Sequence, residues 1–167
     1  LDHILGSGGF RSRIFQEVRS NRGLAYSAGS FFEGRQGYGT FGAYAMTKTE
    51  STGQVLSVLQ DILKDARESP MPAQDIHLAK RSIVNSYIFS FTSSHMIAFQ
   101  HMALEFHGLP VKFLAEYPAK IDAVTREDVL KVAQKYLAPD RRTVFVLGDE
   151  TKFDEPLRSF GTVKRVK

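Results

Sequence analysis

The chain has 167 residues, of which 43% are hydrophobic and 24% charged, a composition typical of one soluble globular domain with an apolar core. The absence of cysteine excludes disulfides, thiolate catalysis and cysteine-bound zinc. The net charge of +4 is spread along the chain, and the locally basic residues 163–167 carry no recognition motif, so we expect no nucleic-acid partner. There is no apolar run of the ~20 residues that span a bilayer and no signal peptide, so we expect no membrane association and leave the compartment unknown.

The first elements are predicted to be helical. Residues 1–5 end a helix, and the glycine-rich residues 6–9 interrupt it. These glycines lack the Gly-Lys-Ser/Thr ending of a phosphate loop and follow a helix, which favours close backbone packing or a hinge over nucleotide binding. Apolar side chains at helical spacing predict a second helix over 10–21, and Gly23 suits the left-handed residue that ends such a helix.

Two strands over 25–33 and 38–46 are predicted to form an antiparallel hairpin around a turn at 34–37. Helical patterns follow over about 51–68, 73–91 and 94–107, then a short amphipathic piece at 113–117. Thr125 and Asp128 resemble a capping box that opens a last helix, and an apolar run predicts a buried strand over 143–147. The pattern predicts a single α+β domain over 1–167, with an antiparallel sheet and helices packed on one face.

Arg19 and Tyr26 are the residues that point to chemistry. They flank the predicted corner between helix and strand. A guanidinium and a phenol held together on rigid elements can bind a polarised carbonyl, which suggests half of a hydrolytic site. The alternative interpretation is a surface arginine at a helix C-terminus, favoured there by the helix dipole, and an unrelated tyrosine in a half-buried strand.

The sequence contains neither a nucleophile elbow nor a recognisable zinc motif. Neither His-Glu-x-x-His nor the inverted His-x-x-Glu-His occurs, and Gly-x-Ser-x-Gly is also missing. His101 and Glu105 are one helical turn apart with His107 nearby, but the spacing turns His107 away from the other two. We therefore interpret the trio as an ordinary helix surface and predict no metal ligands in this chain.

Residues 8–27 read Gly-Gly-Phe-Arg-Ser-Arg-Ile-Phe-Gln-Glu-Val-Arg-Ser-Asn-Arg-Gly-Leu-Ala-Tyr-Ser. This segment resembles the pitrilysin/insulinase family of inverted zinc metallopeptidases, which carry Gly-Gly-x-x-Ser-Arg-Leu-Phe-x-Glu-Val-Arg-x-x-x-Gly-Leu-Ala-Tyr-Ser. The later helices and the segment 124–129 are similar to the family too, so the resemblance covers most of the chain.

The resemblance implies a fold and a role. Family members are built from homologous α+β domains of the LuxS and mitochondrial-processing-peptidase type. One domain holds zinc, and a C-terminal or partner domain supplies an arginine and a tyrosine. Arg19 and Tyr26 match that pair and would bind the substrate backbone, with Tyr26 also stabilising the oxyanion. Phe15, one helical turn before Arg19, would line the same substrate surface or pack in the core.

Because the zinc motif is missing, the resemblance implies that this chain is the non-metal half and inactive alone. Zinc is then expected in a homologous partner domain or subunit, and the substrate is a peptide. A family domain has strands before the point that matches Leu1, so we expect a truncated or proteolysed domain whose exposed apolar surface favours self-association. The alternative function is a catalytically inactive structural homologue that acts as an assembly subunit, as in respiratory complexes.

Overall fold

The computed structural model describes residues 1–166 and confirms an α+β architecture. The sheet is an antiparallel pair of strands, β1 and β2. Of the basic residues 163–167, Lys167 lies outside the described residues. The strands and α-helices are β1 (Ala25–Arg35), β2 (Tyr38–Thr47), α1 (Thr52–Glu68), α2 (Ala73–Tyr87), α3 (Ser94–Phe106), α4 (Lys112–Ala123) and α5 (Arg126–Tyr136).

The segment before the hairpin is helical but wound more widely than the sequence predicts. A π-helical turn covers His3–Ser7, a 3₁₀ turn covers Gly9–Arg11, and a π-helix covers Phe15–Asn21. Apolar spacing identifies a helix, but it does not distinguish an α-helix from a π-helix, whose turn holds one more residue. π-Helical turns are rare and frequently lie at functional sites.

The glycine-rich segment packs tightly against the sheet, as one of the two favoured interpretations expects. A side chain on Gly6 would place its Cβ 2.0 Å from the backbone nitrogen of Ser30, so only glycine allows this approach. The Ser30 hydroxyl also donates to the Asp2 carboxylate at 2.5 Å, which fixes the first turn on β1. The segment therefore serves packing at this contact.

The core lies where the N-terminal helical segments, β1 and α1 meet, with the start of α2 and one face of α5 closing it. By contrast, α3 buries only Leu104 and leaves Phe99, Met102 and Phe106 more than half exposed. The buried hydrophobic residues of this core are Ile4, Leu5, Ile14, Val18, Ala25, Ala28, Val55, Val58, Leu59, Ile62, Ala66, Met71, Ile76 and Val129.

The predicted helix boundaries are close to those observed. The helix predicted over 73–91 ends at Tyr87 and continues as the 3₁₀ turn Ile88–Phe91, while the short piece predicted at 113–117 is the longer helix α4. The capping box is present: the Thr125 hydroxyl accepts from the backbone N–H of Asp128, whose carboxylate accepts from the N–H of Thr125. None of the helices in residues 1–166 is both long and apolar enough to cross a membrane.

The strand predicted over 143–147 is wrong. Residues 142–147 carry no regular secondary structure, and within the described part of the chain neither β1 nor β2 pairs with them. Phe145 is 91% exposed and Leu147 is fully exposed. A strand requires a neighbour to pair with, and apolar composition alone does not supply one.

A long-range contact ties the C-terminal region to α1. The Asp154 carboxylate accepts from the backbone N–H of Gly53 at 2.7 Å and from that of Gln54 at 2.9 Å. These are two of the N–H groups at the helix start that have no intrahelical acceptor. Ser51, at the N-cap position, gives no side-chain cap, so Asp154 takes over that task from a distant part of the chain.

Candidate functional site

The structure brings the three predicted site residues into contact. Arg19 lies in the last turn of the π-helix, with its guanidinium carbon 4.8 Å from the centre of the Phe15 ring and 5.0 Å from the centre of the Tyr26 ring. Both distances allow a cation–π interaction. We call Phe15, Arg19 and Tyr26 the Arg19 cluster. Arg19 and Tyr26 therefore lie side by side.

The chain turns from helix to strand at Gly23. Its φ of +62° is the left-handed conformation that glycine adopts at little cost, as the sequence predicts. The backbone N–H of Gly23 donates to the Arg19 carbonyl at 3.0 Å, and that of Leu24 donates to the Val18 carbonyl at 2.8 Å. The corner is therefore closed by hydrogen bonds, and it fixes Tyr26 beside Arg19.

Tyr26 occupies an irregularity of β1 that the sequence analysis missed. Ala25 pairs with Thr47 and Ser27 pairs with Met46, so Tyr26 is an extra residue without a partner in β2, which is a β-bulge. In an unbroken strand Tyr26 would share a face with Ala28, which is buried, yet it is 83% exposed. Bulges of this kind re-aim a side chain, and nothing in the composition of residues 25–27 marks one.

Arg19 forms no salt bridge with a carboxylate of the described residues. Within residues 1–166, no acidic oxygen lies within 4.0 Å of its guanidinium nitrogens. The nearest acid along the π-helix, Glu17, is paired with Arg22 at 3.6 Å and accepts a hydrogen bond from Asn21 at 3.1 Å. No carboxylate therefore competes with an incoming ligand for the N–H groups of Arg19.

The described residues do not form a metal site. Across residues 1–166, no three histidine, aspartate or glutamate side chains come close enough to hold an ion together. This includes His101 and Glu105 on α3. The side chains of residues 1–166 therefore do not supply the ligand set that a zinc ion requires.

The Arg19 cluster offers donors, with no activated nucleophile among its three residues. A guanidinium presents a planar fork of N–H groups, and a phenol presents one O–H. Both can donate to a carbonyl oxygen or to the negative charge that develops on it. The Phe15 ring adds an apolar surface beside the guanidinium, with its centre 4.8 Å from the guanidinium carbon.

Comparison with known proteins gives the family. Residues 1–83 match the model of the peptidase M16 inactive domain. The chain is 31% identical, over 89% of its length, to an uncharacterised zinc protease of Streptomyces coelicolor. It is also 24% identical, over 83% of its length, to mitochondrial cytochrome b-c1 complex subunit 2 of Rattus norvegicus. The matched region is 32% of each relative, so the chain spans about a third of their length.

A solved structure agrees in fold and in sequence. The peptidase M16 inactive domain from Pseudomonas fluorescens superposes with a TM-score of 0.74 and 30% identity, over 80% of this chain and 32% of that one. The resemblance seen in residues 8–27 is thus confirmed over most of the chain. The chain belongs to the peptidase M16 family, as a domain of its inactive, C-terminal type.

Proposed function

We propose that this chain is the non-metal half of a zinc-dependent endopeptidase, in which Arg19 and Tyr26 bind the peptide backbone and stabilise the oxyanion. The observation that supports this most is the placement of the Arg19 guanidinium 5.0 Å from the Tyr26 ring, on an exposed face. Two adjacent donors in an accessible position suit a carbonyl that must enter from outside.

The two side chains have different roles in this proposal. Arg19 donates to a backbone carbonyl of the substrate and holds the peptide in place. The Tyr26 hydroxyl donates to the scissile carbonyl oxygen as it becomes negative. Donors fixed before the reaction lower the barrier most, since they need no reorganisation in the transition state. The closed corner at Gly23 and the bulge at Tyr26 supply that rigidity.

The other half of the site belongs to a homologous partner. In this proposal residues 1–167 act as a C-terminal or partner domain that faces a zinc-binding domain, in the same or another chain. The zinc ion there supplies the Lewis acid and the activated water when bound. The substrate is a peptide, Phe15 lines its binding surface, and this chain by itself cleaves nothing.

The test is Tyr26→Phe in the complete peptidase, with its zinc-binding domain present. Loss of one oxyanion donor is expected to lower kcat roughly 100- to 1000-fold with little change in KM. Because the side chain is 83% exposed, the thermal midpoint should stay the same. Tyr38→Phe, at the far end of the hairpin and 64% exposed, is the matched control. Undiminished turnover by the Tyr26 variant would remove it from catalysis.

A second candidate is a structural subunit without peptidase activity. The similarity to cytochrome b-c1 complex subunit 2 favours it, since that relative is named as part of a complex. This function requires a stable partner but not the pair Arg19 and Tyr26. If Arg19→Ala and Tyr26→Phe together leave both complex assembly and physiological function intact, the structural role replaces the catalytic one.

A further inference from the structure

A second exposed aromatic ring stands beside the Arg19 cluster. Phe10, in the 3₁₀ turn Gly9–Arg11, is 73% exposed. Its ring meets that of Phe15 edge to face, with the ring centres 5.0 Å apart and the planes at 89°. This is a preferred aromatic geometry, and it leaves most of the Phe10 surface open to an incoming group.

The turn that carries Phe10 is braced. The Gly9 carbonyl accepts from the backbone N–H of Ser12 at 3.0 Å and from the Ser12 hydroxyl at 2.8 Å. The Gln16 side-chain amide donates to the Phe10 carbonyl. Ser12 itself is almost fully buried. The backbone that carries Phe10 is therefore held in place, which lowers the entropy lost when a ligand covers this residue.

Phe10 extends the Arg19 cluster beyond Phe15. Tyr26, Arg19, Phe15 and Phe10 contact one another in that order, each neighbour at about 5 Å by the distances between ring centres and guanidinium carbon. An extended peptide advances ~3.3 Å per residue. A peptide whose carbonyl is held by Arg19 thus places a side chain within one to three residues of that carbonyl against the two phenylalanines.

We propose that Phe10 and Phe15 form a subsite for a large apolar or aromatic side chain of the peptide substrate, with Phe10 as the specificity-determining residue. Its position next to the reacting carbonyl rests on the proposed function. A largely exposed ring that packs at right angles on a second ring suits a third aromatic ring or a branched aliphatic group. A charged side chain would lose hydration there without gaining a partner.

Equilibrium binding tests the subsite without cleavage. The complete protein, with zinc removed by a chelator, is titrated with two fluorescein-labelled peptides of an alanine–serine host that differ only in one central Phe or Ala. The wild type is expected to bind the Phe peptide about tenfold more tightly, as burial of one aromatic side chain allows. Phe10→Ala should reduce this ratio to near one, and Phe10→Leu should restore part of it.

The control is Phe89→Ala, which removes a similarly exposed phenylalanine in the 3₁₀ turn after α2 and should leave the ratio unchanged. An unaltered ratio in Phe10→Ala, or no preference in the wild type, would overturn the subsite. Tyr26→Phe separates the two proposals, since it should lower turnover and leave the binding ratio intact. If the ratio of the two peptide affinities depends on Phe10 but turnover is unchanged in Tyr26→Phe, the catalytic role of Tyr26 is refuted and the subsite is supported.

Discussion

The Thr47 hydroxyl donates a hydrogen bond of 2.6 Å to the carbonyl of Leu24, across the hairpin from the bulge at Tyr26. Thr47 is the partner of Ala25, the residue before the extra one. The bond therefore anchors the chain just where the register changes, and it holds the start of β1 while Tyr26 turns outward. Thr47 is a positioning residue in this arrangement, since it acts on Tyr26 through the backbone.

Replacing Thr47 with valine keeps the shape and removes the donor. The half-buried Leu24 carbonyl then loses its side-chain partner, which should lower the free energy of unfolding by about 1 kcal/mol. If the proposed function holds, kcat of the complete protein should fall and KM should change little, because the Tyr26 side chain is no longer held in one orientation. Thr47→Ser should recover both values in urea unfolding and steady-state kinetics. Full activity in the valine variant would show that the bulge holds without this bond.

Gly23→Ala tests the corner between helix and strand. A left-handed conformation costs a residue with a Cβ ~1–2 kcal/mol, so the free energy of unfolding should fall by that amount. Nothing lies within 4 Å of the position that the new Cβ would take, so the loss should come from the backbone and not from a clash. Gly23→Asn is expected to lose less, since asparagine tolerates this conformation better.

The matched control for the corner is Gly34→Ala in β1, where the added Cβ would make only ordinary contacts with the Phe32 ring. It should be neutral or slightly stabilising in the same urea titration, since alanine loses less entropy than glycine. Equal losses at both positions would mean that the left-handed conformation of Gly23 is not what makes it necessary.

The Asp154 cap on α1 should make stability depend on acid pH. Burial is the largest single influence and raises the pKa of Asp154, but four backbone N–H hydrogen bonds together outweigh it, those of Gln54 and Gly53 most, so its pKa is lowered from 3.8. A depressed folded-state pKa adds stability above the unfolded pKa. That stability is lost as the pH falls through the pKa of the folded state, so the stability of the protein should change with pH below about pH 4.

At pH 7, Asp154→Ala should lower the free energy of unfolding by about 1 kcal/mol, the usual loss when a helix cap is removed. The difference from wild type should shrink as the pH falls below 3.8. Asp61→Ala, exposed on the same helix, should be neutral or slightly stabilising. A difference between Asp154→Ala and wild type that is constant from pH 7 to pH 2 would contradict a cap that depends on the carboxylate charge.

The exposed segment 142–147 should drive self-association of the chain. Phe145→Lys replaces a ring that is 91% exposed, so it should reduce the weight-average mass in sedimentation velocity and leave the thermal midpoint unchanged. Thr143→Lys adds the same charge to the same segment without removing the ring. If both variants dissociate equally, charge and not the apolar ring controls the association.

Local signals in the sequence account for the elements that were predicted correctly. Turn residues specify the β1–β2 hairpin, and Thr125 with Asp128 specifies the start of α5. The end of the helix at Gly23, whose φ is +62°, follows from a local signal as well. Each of these features depends on residues close in sequence, which is why the sequence pattern is sufficient to predict them.

Non-local features were not predictable in this way. The bulge at Tyr26 depends on how β1 and β2 are aligned, and the failed strand at 143–147 depends on a partner that the described residues do not provide. The contact of Phe10 with Phe15 requires the 3₁₀ turn to fold back on the π-helix. The presence of an apolar residue in a sequence does not show whether its side chain is buried in the core or exposed.

The cap on α1 also constrains the order in which this chain can fold. Gly53 and the carboxylate that satisfies its N–H are 101 residues apart. On the ribosome, α1 emerges long before Asp154, so until then water is the partner of the Gly53 and Gln54 N–H groups. The helix reaches its final stability only after residue 154 has been released, so a nascent chain that stalls before residue 154 carries α1 with a frayed first turn.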